Sequence, residues 1–135
     1  LLAATGLFPR YALAFNRQAF EARSVADVLK AYGASAPAES RDVVLQAPDI
    51  AENGAVVPLG ATTTLPGVRQ ILFMVEKNPN TLVAQFTLSD AIEAQVATRA
   101  KLGQTSDVYA VVITADGKAH FARKEVKVTL GGCGG

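Results

Sequence analysis

The alternation of apolar and polar positions after Arg41 is typical of short β-strands rather than of helices. Turn sequences rich in Pro, Gly, Asn and Asp separate the alternating runs about every ten residues. Seven short strands with such turns indicate an all-β fold, an antiparallel β-sandwich for which the immunoglobulin-like arrangement is the leading candidate. The runs place strands at about 43–47, 55–64, 68–75, 81–88, 91–102, 108–114 and 118–130.

Two turn dipeptides and one proline refine this prediction. Asn53-Gly54 and Asp116-Gly117 favour the tight turns of β-hairpins. Pro58 lies within the second predicted strand and has no backbone N–H. That strand is therefore expected at a sheet edge or with a β-bulge.

The stretch before the strands, Phe15–Tyr32, has helical periodicity. Ser24 followed by Asp27 resembles a helix start, with an acidic side chain near the positive end of the helix dipole. Gly33 is a suitable helix stop, and the small and polar residues 34–40 predict a linker loop. Four apolar side chains share one helix face at the i, i+3, i+4, i+7 spacing: Val25, Val28, Leu29 and Tyr32.

Two predicted strands lack polar positions. Ile71–Val75 and Val111–Ile113 are apolar throughout, whereas a strand in a two-layer sandwich normally has one face in water. The N-terminal helix can cover part of this outer face, and we expect a partner subunit to cover the rest, because one short helix is small against a sheet. The alternative is a sheet that is fully covered within one chain.

The charge balance and the scarcity of Cys and His exclude several classes of function. The 135 residues suit one domain, and 13 Lys+Arg against 12 Asp+Glu give no electrostatic basis for binding nucleic acid or an anionic membrane. One cysteine and one histidine exclude an internal disulfide framework and give no support for a zinc site within one chain. No apolar run approaches the roughly 20 residues that span a bilayer, and no phosphate-binding glycine loop is present.

The single cysteine stands among four glycines, in Gly131-Gly132-Cys133-Gly134-Gly135. Glycine has no Cβ, so the backbone is least restricted here and no side chain within two residues shields the sulfur. No Lys, Arg or His lies within five residues to favour the reactive thiolate. A flexible arm with a slow thiol indicates a carrier that is activated inside partner enzymes rather than a self-sufficient catalyst.

The first residues are interpreted as the remnant of an export signal. Leu1–Phe8 is apolar and uncharged, and Ala12-Leu13-Ala14 matches the small-x-small pattern of a signal-peptidase site. The alternative is an ordinary apolar extension. The predicted organisation is an export-signal remnant at 1–14, a helix and linker at 15–40, a β-sandwich domain at 41–130 and a flexible carrier arm at 131–135.

Other charged residues are weaker candidates. His120 lies in a predicted strand without an obvious orienting carboxylate, so it is interpreted as a sheet residue rather than a catalytic partner of Cys133. The charged residues of 124–127 are interpreted as a solvated strand face. Alternatively, Arg123 and Lys127 steer an anionic cargo or an acidic partner surface.

Four stretches of the chain are similar to one known family. They are Val126–Gly135, Pro48–Gly54, Val75–Asn80 and Thr105–Val112. The family that they resemble is SoxY, the sulfur-carrier subunit of the bacterial thiosulfate-oxidising Sox system. The similarity runs from about Phe20 to the end of the chain and is most specific in the last stretch. The twin-arginine export signal usual for the family is absent from this sequence.

The resemblance implies a location and a set of partners. The protein would have an immunoglobulin-like fold in the periplasm and form a heterodimer with a small β-rich subunit, SoxZ. Cys133 would take up thiosulfate as a thiosulfonate in an oxidation by the c-type haem protein SoxAX. The hydrolase SoxB would release sulfate, a sulfane dehydrogenase would oxidise the remaining sulfur, and SoxB would then regenerate the thiol. The chain itself is expected to hold no metal or cofactor and to bind neither nucleic acid nor membrane.

Three other readings of the arm stay open. The main one is an exported β-sandwich binding module whose cysteine only forms intermolecular disulfides, as an odd cysteine commonly does. A second is a carrier that uses the Gly134-Gly135 carboxylate as a thiocarboxylate, which the number of strands disfavours. A third is an independent thiol enzyme, which the lack of an activating neighbour disfavours.

Overall fold

The computed structural model describes residues 17–89 and 94–129. The interpreted export signal at 1–14 and the arm at 131–135 lie outside the described residues, as does the beginning of the strand predicted at 91–102. Within the described ranges, no helix has the length and apolar character needed to cross a membrane.

One helix, α1 (Val25–Ala31), follows a short helical stretch at residues 17–21. Ser24 caps α1: its backbone is extended, and its hydroxyl accepts a hydrogen bond from the Asp27 N–H at 3.1 Å. Gly33 ends the helix in the left-handed conformation, with φ of 66°, which costs glycine nothing because it has no Cβ. The predicted start and stop are confirmed, but the extended Ser24 divides the single long helix that the periodicity predicts.

Nine strands lie within the described ranges, and seven of them confirm the strands that the alternation predicts. The strands are β1 (Ser35–Glu39), β2 (Val43–Gln46), β3 (Ile50–Ala51), β4 (Val57–Thr63), β5 (Val68–Val75), β6 (Leu82–Thr87), β7 (Gln95–Ala100), β8 (Ser106–Thr114) and β9 (Lys118–Val128). The Asp116-Gly117 hairpin between β8 and β9 is confirmed, with Gly117 at φ of 81°. β1 and β3 are additional to the prediction.

The strands form two sheets that pack face to face. One sheet has the order β1-β9-β8-β5-β6, with β3 also paired to β9, and the other has the order β2-β4-β7. Both sheets contribute to one buried aliphatic core, for example Leu59 from β4, Phe73 from β5 and Val112 from β8. The predicted β-sandwich is confirmed. Its pairs are antiparallel except β1–β9 and β3–β9, which are parallel.

Strand β1 corrects the prediction of a linker loop at 34–40. Its sequence, Ser-Ala-Pro-Ala-Glu, shows no apolar alternation, and Pro37 removes one backbone donor. Such a segment is tolerated because β1 lies at the edge of its sheet. The start of β9 pairs with it in parallel, so that Ala38 lies beside His120. The partner strand, rather than its own sequence, therefore decides the extended conformation.

Two predictions about β4 and its approach are wrong. Pro58 lies in the middle strand of its sheet, and the β4–β7 register is continuous, so Pro58 marks neither an edge strand nor a bulge. β2 pairs with β4 only from Gly60 onwards, so the missing N–H costs no hydrogen bond on that side. Asn53-Gly54 forms a turn between β3 and β4, which do not pair with each other, and not a hairpin.

The outer face of the larger sheet is covered by the N-terminal part of the same chain. Val28 and Leu29 of α1 form one buried cluster with Leu72, Met74 and Val111 of β5 and β8. These three strand residues are at most 1 % exposed. The expectation that a partner subunit covers this face is therefore wrong, and the alternative of cover within one chain is confirmed.

Candidate functional site

The predicted site residues lie outside the described residues. They are the attachment residue Cys133 and the glycines of the arm, Gly131, Gly132, Gly134 and Gly135. The last described residue is Thr129, four positions before Cys133. The structure therefore bears on the site through the contacts that hold the chain as far as Thr129.

Three consecutive backbone amides hold the end of β9 on both of its edges. Two of them donate to residues 49–51, where β3 pairs with β9, and one donates to a side chain of the β7–β8 loop. The distances are 3.0 Å from Lys127 N to the Asp49 carbonyl, 2.9 Å from Val128 N to Thr105 Oγ1, and 3.1 Å from Thr129 N to the Ala51 carbonyl. A strand that is bonded on both edges has a defined direction, so the point at which the chain passes beyond Thr129 is defined as well.

The side chain of Lys124 ties the same segment to β9. Its Nζ lies 2.8 Å from the Ala47 carbonyl and 2.8 Å from Asp49 Oδ1. The hydrogen bond from Lys124, helped by its charge, lowers the pKa of Asp49, so Asp49 is ionised at neutral pH. Because the Asp49 side chain is 85 % exposed, water screens the pair. Its main effect is to position residues 47–49 against β9.

This tie corrects part of the prediction of a solvated strand face. Glu125 and Lys127 are exposed, as predicted, but Lys124 is half-buried and bonded. Arg123 is exposed, and its hydrogen bond with Tyr109 raises the pKa of the guanidinium. A steering role for Arg123 and Lys127 stays a prediction.

A shallow groove adjoins the anchored end of β9. We call it the root groove, and its volume is about 410 Å³. Ala51, which accepts the Thr129 N–H, lies in its wall. The groove also contains two aliphatic side chains that are more than half exposed, Ile50 at 56 % and Val56 at 52 %. Pro48 and Pro58 complete its apolar lining.

His120 lies at the opposite end of β9 and does not belong to this site. Its Nε2 is 3.3 Å from Thr114 Oγ1, which donates a hydrogen bond of 2.5 Å to Asp116 Oδ1. About 30 Å of strand separates His120 from Thr129, at about 3.3 Å per residue, whereas four extended residues reach at most about 14 Å. His120 is therefore too distant to activate Cys133 of the same chain, and its interpretation as a sheet residue agrees with its pairing beside Val112.

Sequence reasoning missed the anchor formed by residues 47–51. Two residues of β3 are too few to show an alternation, and the bond from Lys124 to Ala47 joins positions 77 residues apart. One signal was present, since this segment overlaps the stretch Pro48–Gly54 that resembles the SoxY family. In the part of the chain that the structure describes, no group of three or more metal-ligating side chains is present.

Comparison with known proteins adds a family and a fold. Residues 28–133 match the family described as Sulfur oxidation protein SoxY, and this range includes Cys133. No curated protein matches the chain. Among solved structures, the sulfur carrier protein SoxY from Chlorobium limicola f thiosulfatophilum is 34 % identical with a TM-score of 0.70, and the match covers 79 % of this chain and 97 % of that chain.

More distant structures share the fold alone. Superoxide reductase (neelaredoxin) from Ignicoccus hospitalis is 20 % identical with a TM-score of 0.55, covering 65 % of this chain and 80 % of that chain. Fibronectin(III)-like modules from Clostridium thermocellum are 19 % identical with a TM-score of 0.50, covering 64 % and 93 %. At this identity, the likeness supports the β-sandwich and says nothing of a shared activity.

Proposed function

The chain belongs to the SoxY family of sulfur oxidation proteins, and we propose that it is a sulfur carrier that holds oxidation intermediates covalently on Cys133. The observation that carries the proposal is the family match, which extends over residues 28–133 and therefore includes the cysteine. The anchored end of β9 supports it, because a carrier needs a defined point from which its reactive group is presented. The glycines on both sides of Cys133 support it too, because they leave the sulfur unshielded.

The first step of the proposed cycle loads the carrier. The Cys133 thiol and thiosulfate form a bond between Sγ and the outer sulfur of thiosulfate, which yields Cys133–S–S–SO3−. The step releases one proton and two electrons, and a c-type haem protein partner accepts the electrons. Nothing near Cys133 in the sequence stabilises its thiolate, so we assign the activation of the thiol to that partner.

The second step releases sulfate, while the thiosulfate sulfur that is bonded to Sγ stays on the carrier. Water attacks the terminal sulfonate, giving sulfate, two protons and the persulfide Cys133–S–S−. A hydrolase partner supplies this chemistry. A sulfane dehydrogenase then oxidises the outer persulfide sulfur to a sulfonate with the oxygen atoms of three waters, which releases six protons and passes six electrons to a haem electron acceptor. The hydrolase finally splits Cys133–S–SO3− with water into the Cys133 thiol, sulfate and one proton. Covalent attachment keeps each intermediate from diffusing away between enzymes. The chemistry of every step is supplied by a partner enzyme in this proposal, and the carrier supplies the attachment residue.

The proposed partners follow from the same family membership. They are a SoxZ-like β-sandwich subunit in a periplasmic heterodimer and the Sox enzymes SoxAX, SoxB and sulfane dehydrogenase as transient partners. The centre of the outer face of the larger sheet, at Leu72, Met74 and Val111, is buried under α1 and is not accessible to a partner. We therefore place the subunit contact on another surface of the sandwich.

An intact mass measurement tests the proposal. The purified chain is incubated with thiosulfate and the haem protein partner, and we expect a gain of one S2O3 group that reductant removes. Cys133→Ser should abolish the gain, while Thr129→Ser, at the last anchored residue, should retain it. Persistence of the adduct in Cys133→Ser together with its loss on deletion of Gly135 would instead indicate a thiocarboxylate. If the wild type gained no mass, a binding module whose cysteine only forms intermolecular disulfides would be a better interpretation than a carrier.

A further inference from the structure

Exposed aliphatic side chains are concentrated beside the end of β9. Within the described ranges, three large hydrophobic residues are strongly exposed, and two of them, Ile50 and Val56, lie in the root groove. The third, Val44, is 50 % exposed and lines neither the root groove nor the groove of about 590 Å³ that adjoins it at Pro48 and Pro58. The clustering is therefore specific to the place where the chain leaves the domain.

The short distance from Thr129 to Cys133 restricts what can approach this surface. Thr129 is bonded to Ala51 in the groove wall, and four extended residues reach at most about 14 Å from there. An enzyme that takes the sulfur of Cys133 into its active site must therefore bring its own surface to within about 14 Å of the root groove. The deeper the active site lies below the enzyme surface, the closer the two surfaces must come.

The chemistry of the groove suits a brief apolar contact. Two aliphatic residues and two prolines supply the apolar surface, and the exposed Glu52 and Asn53 form part of its rim. Glu52 on the rim is negative, whereas the exposed Lys127, which pairs beside Ile50 at the end of β9, is positive, so no single sign of charge selects the partner. A permanent subunit interface typically buries about 2,000 Å² or more in total and has a large apolar centre, whereas weak transient contacts bury less than about 1,200 Å². The small root groove matches the transient class.

We propose that the root groove is the docking surface for the enzymes that act on Cys133, and that it receives an apolar side chain from the rim of their active-site entrance. This inference rests on the proposed carrier function and adds to it the body surface by which the carrier is recognised. Recognition and chemistry are thereby separated: Ile50 and Val56 contribute to the affinity for the enzyme, and Cys133 alone carries the sulfur.

The test compares polar substitutions in the groove with a matched substitution outside it. Ile50→Ser, Val56→Ser and the double variant are loaded with thiosulfate by the haem protein at increasing concentrations of the full-length chain. We expect the KM for the carrier to rise about fivefold in each single variant and further in the double variant, while kcat is unchanged. Val44→Ser, with the same chemistry and nearly the same exposure, should behave as the wild type.

Several results would overturn the proposal. An unchanged KM in the double variant would show that the groove is not part of the contact. Faster alkylation of Cys133 by iodoacetamide in the groove variants would show that residues 130–135 of the same chain occupy the groove. A change in oligomeric state or a loss of the SoxZ-like subunit would assign the groove to a permanent interface. Failure of the wild type to load at all would overturn the carrier function itself, and Val44→Ser would then fail in the same way.

Discussion

Leu72 and Ile50 are aliphatic residues of the same size in strands of one sheet, yet Leu72 is fully buried and Ile50 is 56 % exposed. Leu72 lies in β5, under the helix α1, in a cluster with Met74 and Val111. Ile50 lies in β3, beside Lys127 at the end of β9. The two positions represent two regions of the molecule that hold together in different ways.

The region under α1 is stabilised by buried apolar area, which is the dominant favourable contribution to folding. The end of β9 is held instead by backbone hydrogen bonds, by Thr105 and by the exposed Lys124–Asp49 pair, each of which contributes little to global stability. Substitutions in the first region should therefore alter stability and spare carrier function, and substitutions at the second should do the reverse. The difference shows that the fold can keep an apolar surface in water beside the anchored end of β9.

The largest expected effect is on Leu72→Ala. Removing this fully buried side chain should lower the free energy of unfolding by about 2–5 kcal/mol, because it leaves a cavity between β5 and the helix. Urea denaturation followed by circular dichroism measures the change. Val44→Ala, on the exposed side of β2, should stay within about 0.5 kcal/mol of the wild type. A cost of Leu72→Ala close to that of Val44→Ala would contradict the cover by α1.

A smaller and more local effect is expected of Thr105→Val. The substitution removes the oxygen that accepts the Val128 N–H at 2.9 Å and keeps the shape of the side chain. Global stability should fall by about 1 kcal/mol, and hydrogen exchange of the Val128 amide should accelerate about fivefold. Thr105→Ser retains the hydroxyl and should exchange as the wild type does. Unchanged exchange in Thr105→Val would mean that this bond does not hold the end of β9.

The smallest effect concerns the titration of Asp49. Its pKa is lowered from 3.8 by Lys124, so the ion pair stabilises the folded state above that pH, and its contribution is lost as the pH falls through the lowered value. The stability difference between Asp49→Asn and the wild type should therefore begin to shrink as the pH falls below about 3.8 and should vanish only below the lowered pKa of Asp49. Lys124→Met should return the pKa of Asp49 towards 3.8, as followed by NMR of its carboxyl carbon, whereas Lys127→Met should not. Equal titration curves in both variants would remove Lys124 from the anchor.

Much of the molecule could be predicted from local patterns. Alternation predicted seven strands, and β5 has the bounds that the pattern indicates, because turn residues delimit it on both sides. Ser24 and Gly33 predicted the helix ends, since capping depends on residues within one turn. The glycines around Cys133 indicated a carrier, and resemblance over most of the chain indicated sulfur as the cargo. Cys133 itself stays a prediction, because it lies outside the described residues.

The sequence by itself thus determined the elements whose signals are local: alternating strands, capped helix and tight turns, together with the chemical character of the residues around Cys133. Only the tertiary structure decided which surfaces meet. It placed α1 over β5 and β8, turned the unpatterned residues of β1 into a strand, and joined Lys124 to Ala47 across 77 positions. Such contacts depend on the packing of distant segments, to which no spacing within a short window is sensitive. The root groove also depends on tertiary structure. Its lining comes from β3, which pairs with β9 in the larger sheet, and from β4, which pairs with β2 in the smaller sheet.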